Sequence, residues 1–473
     1  MHEIHETRLF DQSAQNAFAR LSGDYNPKHI DPSEARRMFF GRQVVHGLHL
    51  LLWALDRVAA DRATCSIGSI RCSFSEACGI NELVTLKAEQ TGDTATIEIV
   101  SFGRRAARFV VNFQDAPRSQ CLLVADEGVP AVRRLETADV PGSIGTIPIT
   151  LDTTALADIF PALAWGADPM QIATLLATTR LVGMECPGLN SIFTGLKLQF
   201  RADADLLVPH MLNYSVNYWN ADLRMMKVAV STPEASGVVE AIVHPENAAQ
   251  PSVHAIAAHT SPSEFAGEHA LIVGGSRGLG ETVAKIVAAG GGQVTITYQS
   301  GETDAKRVCD ELIAIGAICN VNHYDVTAPI DQPVADQPIT QIYYFATPRI
   351  RPDNALDDTI AELYRASYVA GPARLLDAFS RSIADGVAVY FPSTVFVEYP
   401  ASGFAIYAQA KLEGEAAARA LEVTHSCRVI VDRLPRLKTG QTVALIGDDA
   451  ADPRPVMFDA VRRTTQLRKE VNS

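Results

Sequence analysis

The pattern of apolar residues changes near residue 268, and this change is the strongest constraint on the fold. Beyond it, short β-branched runs alternate with stretches of helical spacing up to about Gly447. The first runs are His269–Val273 and Val294–Tyr298, and the helical stretches after them are Glu281–Ala289 and Ala305–Ile315. Such alternation predicts a doubly wound α/β domain, in which helices cover both faces of a parallel sheet.

The first 246 residues have a different order of elements. Two helical stretches precede four strand-like runs: helices at Ser13–Leu21 and Gly47–Ala59, and strands at Ser66–Phe74, Leu83–Gln90, Thr94–Phe102 and Ala106–Phe113. A long helix beside several antiparallel strands is an α+β arrangement. Segment 246–268 is rich in Ala, Ser and Pro and is typical of a linker, and a weaker boundary lies at 116–145. We therefore expect domains over residues 1–120, 145–245 and 266–473.

Charge and composition exclude several classes of protein. The formal net charge is −13, and no run of Lys and Arg offers a surface to nucleic acid or an anionic membrane. The apolar run Leu48–Leu55 is far shorter than the roughly 20 residues of a spanning helix. No secretory signal opens the chain, and the eight cysteines form no CxxC pair. We expect a cytoplasmic enzyme with buried, reduced thiols and neither a disulfide framework nor a metal site.

The first motif places a carboxylate and an imidazole five residues apart, at Asp24 and His29, on either side of Asn26-Pro27. Pro27 fixes its own φ and biases Asn26 toward extended geometry, so the segment is predicted to be a stiff loop. An Asp/His pair can hold a water molecule and exchange protons with it. A structural role for the two residues, as a turn cap and a packed histidine, is the alternative.

Gly47 begins the longest apolar helix of this region, directly after His46. A glycine there lets a substrate oxygen approach a backbone N–H, and the positive end of the helix stabilises an enolate-like oxyanion. Together with the acid/base pair, this meets the needs of reversible water addition to an α,β-unsaturated thioester. The role of His46 itself stays open, since it also shapes the entry to the helix.

The string Gly23-Asp24-x-Asn26-Pro27-x-His29-x-Asp31, followed by His46-Gly47, resembles the motif of the MaoC-like (R)-specific enoyl-thioester hydratases and dehydratases. The resemblance covers roughly residues 1–116 and implies a hot-dog fold. It further implies that Asp24 and His29 activate the water and that the Gly47 amide binds the thioester oxygen. The implied substrate is carried on coenzyme A or on the phosphopantetheine of acyl carrier protein.

A weak internal repeat follows this motif. Gly166–Ile172 can be aligned with Gly23–Ile30, and Glu185–Leu189 with Val44–Leu48. In this alignment Ala167 replaces the aspartate and Gln171 replaces the histidine, and neither can transfer a proton. We therefore interpret residues 145–245 as a second, degenerate hot dog, so that the first two domains form a double hot dog.

The second motif is a glycine-rich turn between a predicted strand and a predicted helix. It comprises Gly274, Ser276, Arg277, Gly278, Leu279 and Gly280. Tyr407 and Lys411 then share one helical face, and a hydroxyl lies upstream on Ser393 or Thr394. Glycines in this context make a tight turn whose N–H groups can reach a pyrophosphate. A nearby ammonium is expected to lower the pKa of the Tyr407 phenol.

The spacing Gly274-x-x-x-Gly278-x-Gly280 with Tyr407-x-x-x-Lys411 resembles the short-chain dehydrogenase/reductase family over residues 269–473. The resemblance implies a Rossmann-type fold, proton transfer from Tyr407 with Lys411 on the nicotinamide ribose, and adenine contact by Asp325. The family's usual separation between this hydroxyl and the tyrosine points to Thr394, whereas its usual residue type, serine, points to Ser393. We slightly prefer Ser393. The chain departs from the family where the usual Asn is absent and Ser367 or Tyr368 stands instead.

Cofactor choice can be argued from the end of the second strand. Residues Thr297–Ser300 offer no carboxylate for a ribose 2′-hydroxyl, whereas Arg277 can pair with a 2′-phosphate. NADPH is therefore favoured over NADH.

Together the motifs predict a bifunctional enzyme of fatty-acid-like chain extension. It would reduce a 3-oxoacyl thioester with NADPH and dehydrate the (R)-3-hydroxyacyl product to the trans-2-enoyl thioester. One alternative is degradative, with hydration of an enoyl-CoA before NAD-dependent oxidation. Another is an active dehydratase beside a nucleotide-binding domain without catalysis. Expected partners are acyl carrier protein or acyl-CoA and, by resemblance, a second copy of the chain in a homodimer.

Overall fold

The computed structural model divides the chain into two compact units between Glu246 and Asn247. It describes residues 2–60, 62, 65–116, 128, 131–201, 211–246, 249–329, 338–350, 358–442 and 450–471. Each unit has its own sheet, and the two sheets differ in kind.

The first unit is built on one ten-stranded antiparallel sheet. Its strands are β1 (His2–Leu9), β2 (Ser66–Phe74), β3 (Leu83–Thr91), β4 (Thr94–Ser101), β5 (Arg104–Gln114), β6 (Ile144–Pro148), β7 (Ser191–Phe200), β8 (Met211–Asn220), β9 (Met225–Ser231) and β10 (Ala235–Val243). The order across the sheet is β1-β3-β4-β5-β2-β7-β10-β9-β8-β6. Apolar and polar residues alternate along β4, as expected for strands with one buried face.

Two groups of helices lie in this unit, one before β2 and one before β7. They are α1 (Gln12–Ser22), α2 (Pro27–Ile30), α3 (Pro32–Arg37) and α4 (Gly47–Ala59), then α5 (Thr153–Ile159), α6 (Pro161–Gly166) and α7 (Pro169–Arg180), which continues as a π-helical turn at Leu181–Glu185. Eleven of the residues of α4 are buried, including Trp53. Helices α4 and α7 share one apolar core with the sheet.

The two halves of the first unit have the same topology. The order β1-β3-β4-β5-β2 is repeated as β6-β8-β9-β10-β7, and in each half a buried helix precedes the strand that joins the halves. The joining strands β2 and β7 pair antiparallel, from Ser69 opposite Gln199 to Ser73 opposite Gly195. This pairing leaves no open edge between the halves, so the two sheets continue as one.

The repeat corrects one detail of the sequence alignment. Gly47 begins α4, whereas Gly188 follows the π-helical turn and precedes β7. Pairing these two glycines is therefore wrong. The partner of α4 in the second half is α7, because it is the buried helix that precedes the joining strand.

The second unit is a six-stranded parallel sheet. Its strands are β11 (His269–Val273), β12 (Gln293–Tyr298), β13 (Cys319–His323), β14 (Ile339–Tyr344), β15 (Ile383–Thr394) and β16 (Arg428–Leu434), in the order β13-β12-β11-β14-β15-β16. Numbered within the unit, this order is 3-2-1-4-5-6, the doubly wound Rossmann arrangement. Ligands bind such sheets at the carboxyl ends of the strands, where the order reverses, which here is beyond β11 and β14.

Helices cover both faces of this sheet. They are α8 (Val253–Ala257), α9 (Gly278–Ala289), α10 (Glu302–Ala314), α11 (Asp358–Arg365), α12 (Gly371–Ala378), α13 (Ala405–Thr424) and α14 (Pro453–Val471), with a π-helical turn at Ala366–Ala370 and a short 3-10 turn at Val395–Val397. Ala270 and Ile272 pack into one core, whereas Leu271 and Val273 pack into another on the opposite face. Helix α8 lies in the predicted linker, and Val253 and Ile256 are buried in the first of these cores.

Two expectations about the whole chain concern membranes and cysteines. Within the described ranges, no helix has both the length and the hydropathy needed to cross a bilayer. The seven cysteines in those ranges are buried and form no disulfide, and Cys121 lies outside the described residues. Burial raises the pKa of the Cys78 thiol to about 11, so this thiol is protonated at neutral pH.

Candidate active sites

The loop that carries the first motif is fixed by its own backbone. Helix α1 ends at Gly23, whose φ of +71° is in the left-handed region that favours glycine. Asn26 caps α2 by accepting a hydrogen bond from the Lys28 N–H, and Pro27 is the first residue of that helix. The stiff loop predicted from Asn-Pro is therefore present, with Asp24 before the cap and His29 inside the short helix.

The two ring nitrogens of His29 differ, because one makes a hydrogen bond and the other keeps its lone pair. Its Nδ1 lies 2.7 Å from the backbone oxygen of Val44. Because a carbonyl oxygen only accepts, the proton lies on Nδ1, and Nε2 keeps its lone pair. Burial, the neighbouring His46 and the Lys28 ammonium together hold the pKa of His29 well below its usual value. The ring is therefore neutral at physiological pH, with a lone pair on Nε2.

Asp24 is buried and has a hydrogen-bond donor for each carboxylate oxygen. Thr179 donates its hydroxyl to Oδ2 at 2.7 Å, and the Asn26 N–H donates to Oδ1 at 3.2 Å. A ring nitrogen of His29 and a carboxylate oxygen of Asp24 lie within 4.8 Å of each other. A water molecule with two hydrogen bonds can bridge groups up to about this limit. The pair can therefore hold a water between them.

His46 is packed against this pair. Its ring stacks on that of His29, with ring centroids 3.8 Å apart and planes inclined by 23°. Its Nε2 lies 3.0 Å from the backbone oxygen of Asp24, and its Nδ1 lies 2.8 Å from Gln15 Oε1. His46 thus joins the backbone of Asp24 to the face of the His29 imidazole, and the sequence left its role open.

Asp24, His29 and His46 form a compact group of metal-ligand types, but their geometry does not suit a metal ion. The lone pair of an imidazole nitrogen lies in the plane of the ring. Two nearly parallel rings stacked 3.8 Å apart cannot direct both lone pairs at one point. The group is therefore better suited to proton transfer than to coordination.

Gly47 stands at the first position of α4. Its N-cap residue, His46, makes no side-chain capping hydrogen bond, and within the first turn the His49 N–H donates to the His46 carbonyl at 3.0 Å. A Cβ added at Gly47 would lie 2.9 Å from the Phe74 ring, which is too close for any larger residue. A larger residue at this position would therefore have to displace the Phe74 ring, so glycine lets this ring pack against the start of α4.

The second half of the first unit forms one wall of this site. The Asn26 side-chain amide donates to the Gly183 carbonyl at 2.8 Å, and the Tyr25 N–H contacts Met184 Sδ at 3.2 Å. Both contacts are with the π-helical turn that extends α7. A π-helical turn interrupts regular helix hydrogen bonding and often occurs at functional sites. Here it provides a carbonyl that anchors the motif loop.

Gln171, which the alignment placed opposite His29, has a structural task. Its amide donates to the Ile67 carbonyl at 2.9 Å, and its Oε1 accepts from the Ile67 N–H at 2.7 Å. Both hydrogen bonds attach α7 to the start of β2. The side chain therefore links the halves and takes no part in proton transfer.

In the second unit, the glycine-rich turn has the geometry of a nucleotide-binding loop. Gly274 and Gly278 have φ values of +80° and +62°. A Cβ at Gly280 would lie 2.5 Å from the Gly274 oxygen, so the turn closes only with glycine there. Ser276 is buried, and Leu279 packs at the edge of the core beneath the turn.

Arg277 is the N-cap residue of α9 and makes no side-chain capping bond. The first-turn N–H groups of α9 can therefore receive a pyrophosphate, as at other helix N-termini of this fold. At the end of β12, Gln299 donates to Asp325 Oδ2 at 2.9 Å, and Thr327 donates twice to Oδ1. The side chain of Asp325 thus orders the loop after β13, next to the predicted adenine side of the cleft.

The structure separates the two hydroxyls upstream of Tyr407. Ser393 donates to Glu415 Oε1 at 2.6 Å, and this carboxylate also accepts a bidentate pair from Arg433. Thr394, in contrast, faces the Tyr407 phenol, and its side chain partly offsets the rise of that phenol's pKa on burial. The geometry therefore favours Thr394 over Ser393, the residue that the sequence slightly preferred.

Tyr407 and Lys411 are both buried among aromatic rings. The Lys411 ammonium lies 4.0 Å from the ring centroid of Tyr368 and 5.2 Å from that of Phe391, and it donates to the Pro392 carbonyl at 2.9 Å. Burial lowers the pKa of Lys411 to about 7, partly offset by Glu415. Burial also raises the pKa of Tyr407. The expected lowering of the phenol pKa by the lysine is therefore not found.

Tyr368 occupies the region where the resembled family has its asparagine. Its hydroxyl is hydrogen-bonded to Thr347, and its ring lies between the Lys411 ammonium and the Tyr407 ring, 6.1 Å from the latter. The neighbouring Ser367 donates to the Leu363 carbonyl of its own helix at 2.8 Å. Neither side chain carries an amide group like that of the family's asparagine.

The motif geometry of the first unit agrees with a family comparison. Residues 3–106 match the family described as "MaoC like domain". The N-terminal segment is a MaoC-like domain. A 45-residue stretch is 42% identical to the mitochondrial 3-hydroxyacyl-[acyl-carrier-protein] dehydratase of Arabidopsis thaliana. The match covers 10% of this chain and spans about a quarter of the plant enzyme, 27% of its length.

Solved structures that resemble the chain include short-chain dehydrogenases. One is the short-chain dehydrogenase of Burkholderia cenocepacia in complex with NADP, at 19% identity and a TM-score of 0.37 over 42% of this chain and 91% of that one. A second is the FolM alternative dihydrofolate reductase 1 of Brucella canis, also with NADP, at 18% identity and a TM-score of 0.34 over 37% and 75% of the two chains.

Sequence reasoning missed two side chains of the MaoC-like site. Thr179 lies in α7, 155 positions from Asp24, and no local pattern distinguishes it from the neighbouring threonines. Lys28 lies inside the motif, is buried, and donates to both the hydroxyl of Ser191, at 2.9 Å, and its backbone oxygen. A lysine next to the motif histidine was a usable signal, because a buried ammonium affects the charge of its neighbour.

Proposed function

We propose that the chain is a bifunctional enzyme that acts on acyl thioesters. The first unit would dehydrate a (R)-3-hydroxyacyl thioester, or hydrate the corresponding enoyl thioester. The second would reduce a 3-oxoacyl thioester with NADPH. The observation that carries the proposal is the His29–Val44 hydrogen bond, because it leaves Nε2 unprotonated in a ring that lies within 4.8 Å of the Asp24 carboxylate.

In the hydration direction, the residues of the first unit have separate roles. Water lies between the Asp24 carboxylate and His29 Nε2, and Nε2 takes a proton as the water oxygen bonds to C3 of the enoyl group. The negative charge that develops on the thioester oxygen is stabilised by the Gly47 N–H at the positive end of α4. C2 then receives a proton from the same acid/base pair. Dehydration follows these steps in reverse.

The second half of the first unit has the same topology as the MaoC-like half, which supports a double hot dog with one diverged copy. The equivalent order of five strands in each half is the basis for this interpretation. A single chain with two such halves can replace a dimer of single hot dogs. The second half would then provide a wall of the site and shape the acyl tunnel.

In the second unit, the residues present fit a dinucleotide at the glycine-rich turn. Gly274, Gly278 and the N-terminus of α9 would hold the pyrophosphate, and Arg277 would pair with a 2′-phosphate, since β12 ends without a carboxylate. NADPH, when bound, supplies the hydride. Tyr407, with Thr394 as its partner, would give a proton to the substrate oxygen.

A second candidate function for this unit is nucleotide binding without turnover. Lys411 donates to the Pro392 carbonyl and lies against the Tyr368 and Phe391 rings. Among the described residues, the Glu415 carboxylate favours its charged form, but burial outweighs this and lowers the pKa of Lys411 to about 7. Together with the raised pKa of Tyr407, this favours a site that binds NADPH but transfers protons slowly.

The decisive experiment follows a 3-oxoacyl-CoA and its acyl-carrier-protein counterpart side by side with the purified chain and NADPH. The bifunctional proposal expects NADPH oxidation followed by a 2-enoyl thioester. Binding of NADPH without oxidation, together with hydration of added enoyl thioester, would instead support the second candidate. Failure to hydrate any enoyl thioester would overturn the dehydratase assignment. Location in the cytoplasm and assembly as a homodimer are further proposals that fractionation and light scattering would test.

A further inference from the structure

We propose that Thr179, on the diverged half of the first unit, is a positioning residue for the catalytic carboxylate of Asp24. The inference rests on the proposed hydratase and dehydratase function and adds a residue to its machinery. It gives the second half a direct part in catalysis in addition to packing against the first half.

The contact between the two side chains is short, buried and oriented. Thr179 donates its hydroxyl to Asp24 Oδ2 at 2.7 Å, and the two residues are 4% and 2% exposed. A buried carboxylate needs donors for both oxygens, because it has lost those of water. The other oxygen accepts from the Asn26 N–H at 3.2 Å, which belongs to the motif loop itself. Thr179 is therefore the donor by which the opposite half holds the carboxylate.

A second observation points to the same carboxylate. Gly183, four residues further along the chain in the π-helical turn, faces Asp24 Oδ1, and a Cβ at this position would overlap the carboxylate. One face of the helix thus combines a donor for Oδ2 with an empty space for Oδ1. Two residues of the same helical segment that fit the same functional group are difficult to explain by core packing alone.

The consequence for catalysis follows from orientation. The carboxylate must face the water that His29 deprotonates, and its rotation about the side-chain bonds is limited by the Thr179 hydroxyl on one side and Gly183 on the other. Loss of the hydroxyl leaves one oxygen without its donor and frees this rotation. The chemical step then slows, whereas substrate binding along the tunnel and at Gly47 is unchanged, so kcat falls while KM stays.

The test compares Thr179→Val, Thr179→Ser and the control Thr178→Val in the full-length chain. Valine has nearly the shape of threonine without the hydroxyl. Thr178 is also fully buried in α7, but it donates to the Leu175 carbonyl of its own helix and has no contact with Asp24 in the described hydrogen bonds. Hydration of 2-butenoyl-CoA is measured as loss of the absorbance of the conjugated thioester, and thermal unfolding is measured for each variant.

We expect Thr179→Val to lower kcat by about 10- to 100-fold with KM within about twofold, which corresponds to loss of one hydrogen bond to a charged group. Thr179→Ser should recover kcat to within about threefold of the unchanged chain. Thr178→Val should retain kcat even where its melting temperature falls. A full kcat for Thr179→Val, or an equal fall in the Thr178→Val control, would overturn the inference.

A second measurement separates failure of the inference from failure of the proposed function. The chain is labelled with aspartate carrying 13C in its side-chain carboxyl, and the Asp24 resonance is assigned by its disappearance in Asp24→Asn. The positioning role expects this resonance to move in Thr179→Val and to stay in place in Thr178→Val. An unmoved resonance contradicts the role of Thr179. Absence of hydration in the unchanged chain, with a resonance that moves as expected, contradicts only the proposed reaction.

Discussion

The two candidate sites differ in what surrounds their ionisable groups. In the MaoC-like site, hydrogen bonds from Val44 and Thr179 fix one nitrogen of His29 and one oxygen of Asp24, and leave the facing atoms for a water. In the second unit, Tyr407 and Lys411 are enclosed by aromatic rings. Both motifs can be recognised in the sequence, so the difference teaches that a motif specifies residue types and not their environment.

A second comparison concerns the two halves of the first unit. They share strand order and a buried central helix, yet only one has the Asp/His pair. The other half keeps a helix whose side chains reach across to that pair, including Thr179 and the Gly183 carbonyl. The half without the Asp/His pair therefore still contributes hydrogen bonds to the group that we propose to be catalytic.

The largest expected effect tests the contrast between the two sites. Asp24→Asn and His29→Ala should each lower hydration of an enoyl thioester by about 10²- to 10⁴-fold, because general acid–base catalysis contributes this much. Both variants should bind NADPH as the unchanged chain does, measured by nucleotide fluorescence. Tyr407→Phe is the matched control and should leave hydration intact. Equal loss of hydration in the Tyr407 variant, with folding unchanged, would break the comparison of two independent sites.

The next effect concerns the hydroxyls of the second unit. Thr394→Val should lower the rate of 3-oxoacyl-thioester reduction by about 10- to 100-fold, because it removes the hydroxyl that faces the Tyr407 phenol. Ser393→Ala should leave that rate within about threefold and lower the melting temperature, because Ser393 donates to the buried Glu415. If Ser393→Ala slowed NADPH oxidation more than Thr394→Val did, the result would assign the catalytic role to Ser393.

A smaller effect is expected for cofactor choice. Arg277→Ala should weaken binding of NADPH by about tenfold, since a charge-assisted pair with the 2′-phosphate is lost. The affinity for NADH, which lacks this phosphate, should change little. Titration of both nucleotides by fluorescence gives the comparison, and an equal loss for both would show that Arg277 contributes to the loop and not to specificity.

The smallest expected effect is a shift in pH dependence. The Lys28 ammonium is one of the groups that lower the pKa of His29, so Lys28→Met should raise that pKa. His29 acts as a base only when neutral, and the acid limb of the kcat profile for hydration should therefore move to higher pH, by less than about one unit. Burial lowers the pKa of Lys28 itself to about 8, so the difference between variant and unchanged chain should shrink above that pH. A shift to lower pH would contradict this account.

Much of the fold followed from periodicity. Helix Gly47–Ala59 and strands Ser66–Phe74 and His269–Val273 are found with the predicted bounds. Alternating strands and helices after residue 268 form the expected parallel sheet. These elements are determined locally, because the spacing of apolar residues along the chain reports which face of an element is buried.

The site was predictable only where its parts are close in sequence. Asp24, His29 and Gly47 were found from one motif, and the glycine-rich turn from its place between a strand and a helix. The sequence did not distinguish Thr394 from Ser393, since adjacent residues of a strand differ only in the face that they present. It also gave the wrong direction for the pKa of Tyr407, because burial among Tyr364, Tyr368 and Phe396 depends on elements distant in the chain.

The amino-acid sequence alone determined which chemical groups this protein carries and which local elements present them. The tertiary structure decided which groups meet: Thr179 with Asp24, Ser191 with Lys28, and Tyr368 with Lys411. The physical reason is that hydrogen bonds, burial and ring contacts between distant segments depend on how the elements pack together. A linear pattern reports only the spacing within each element.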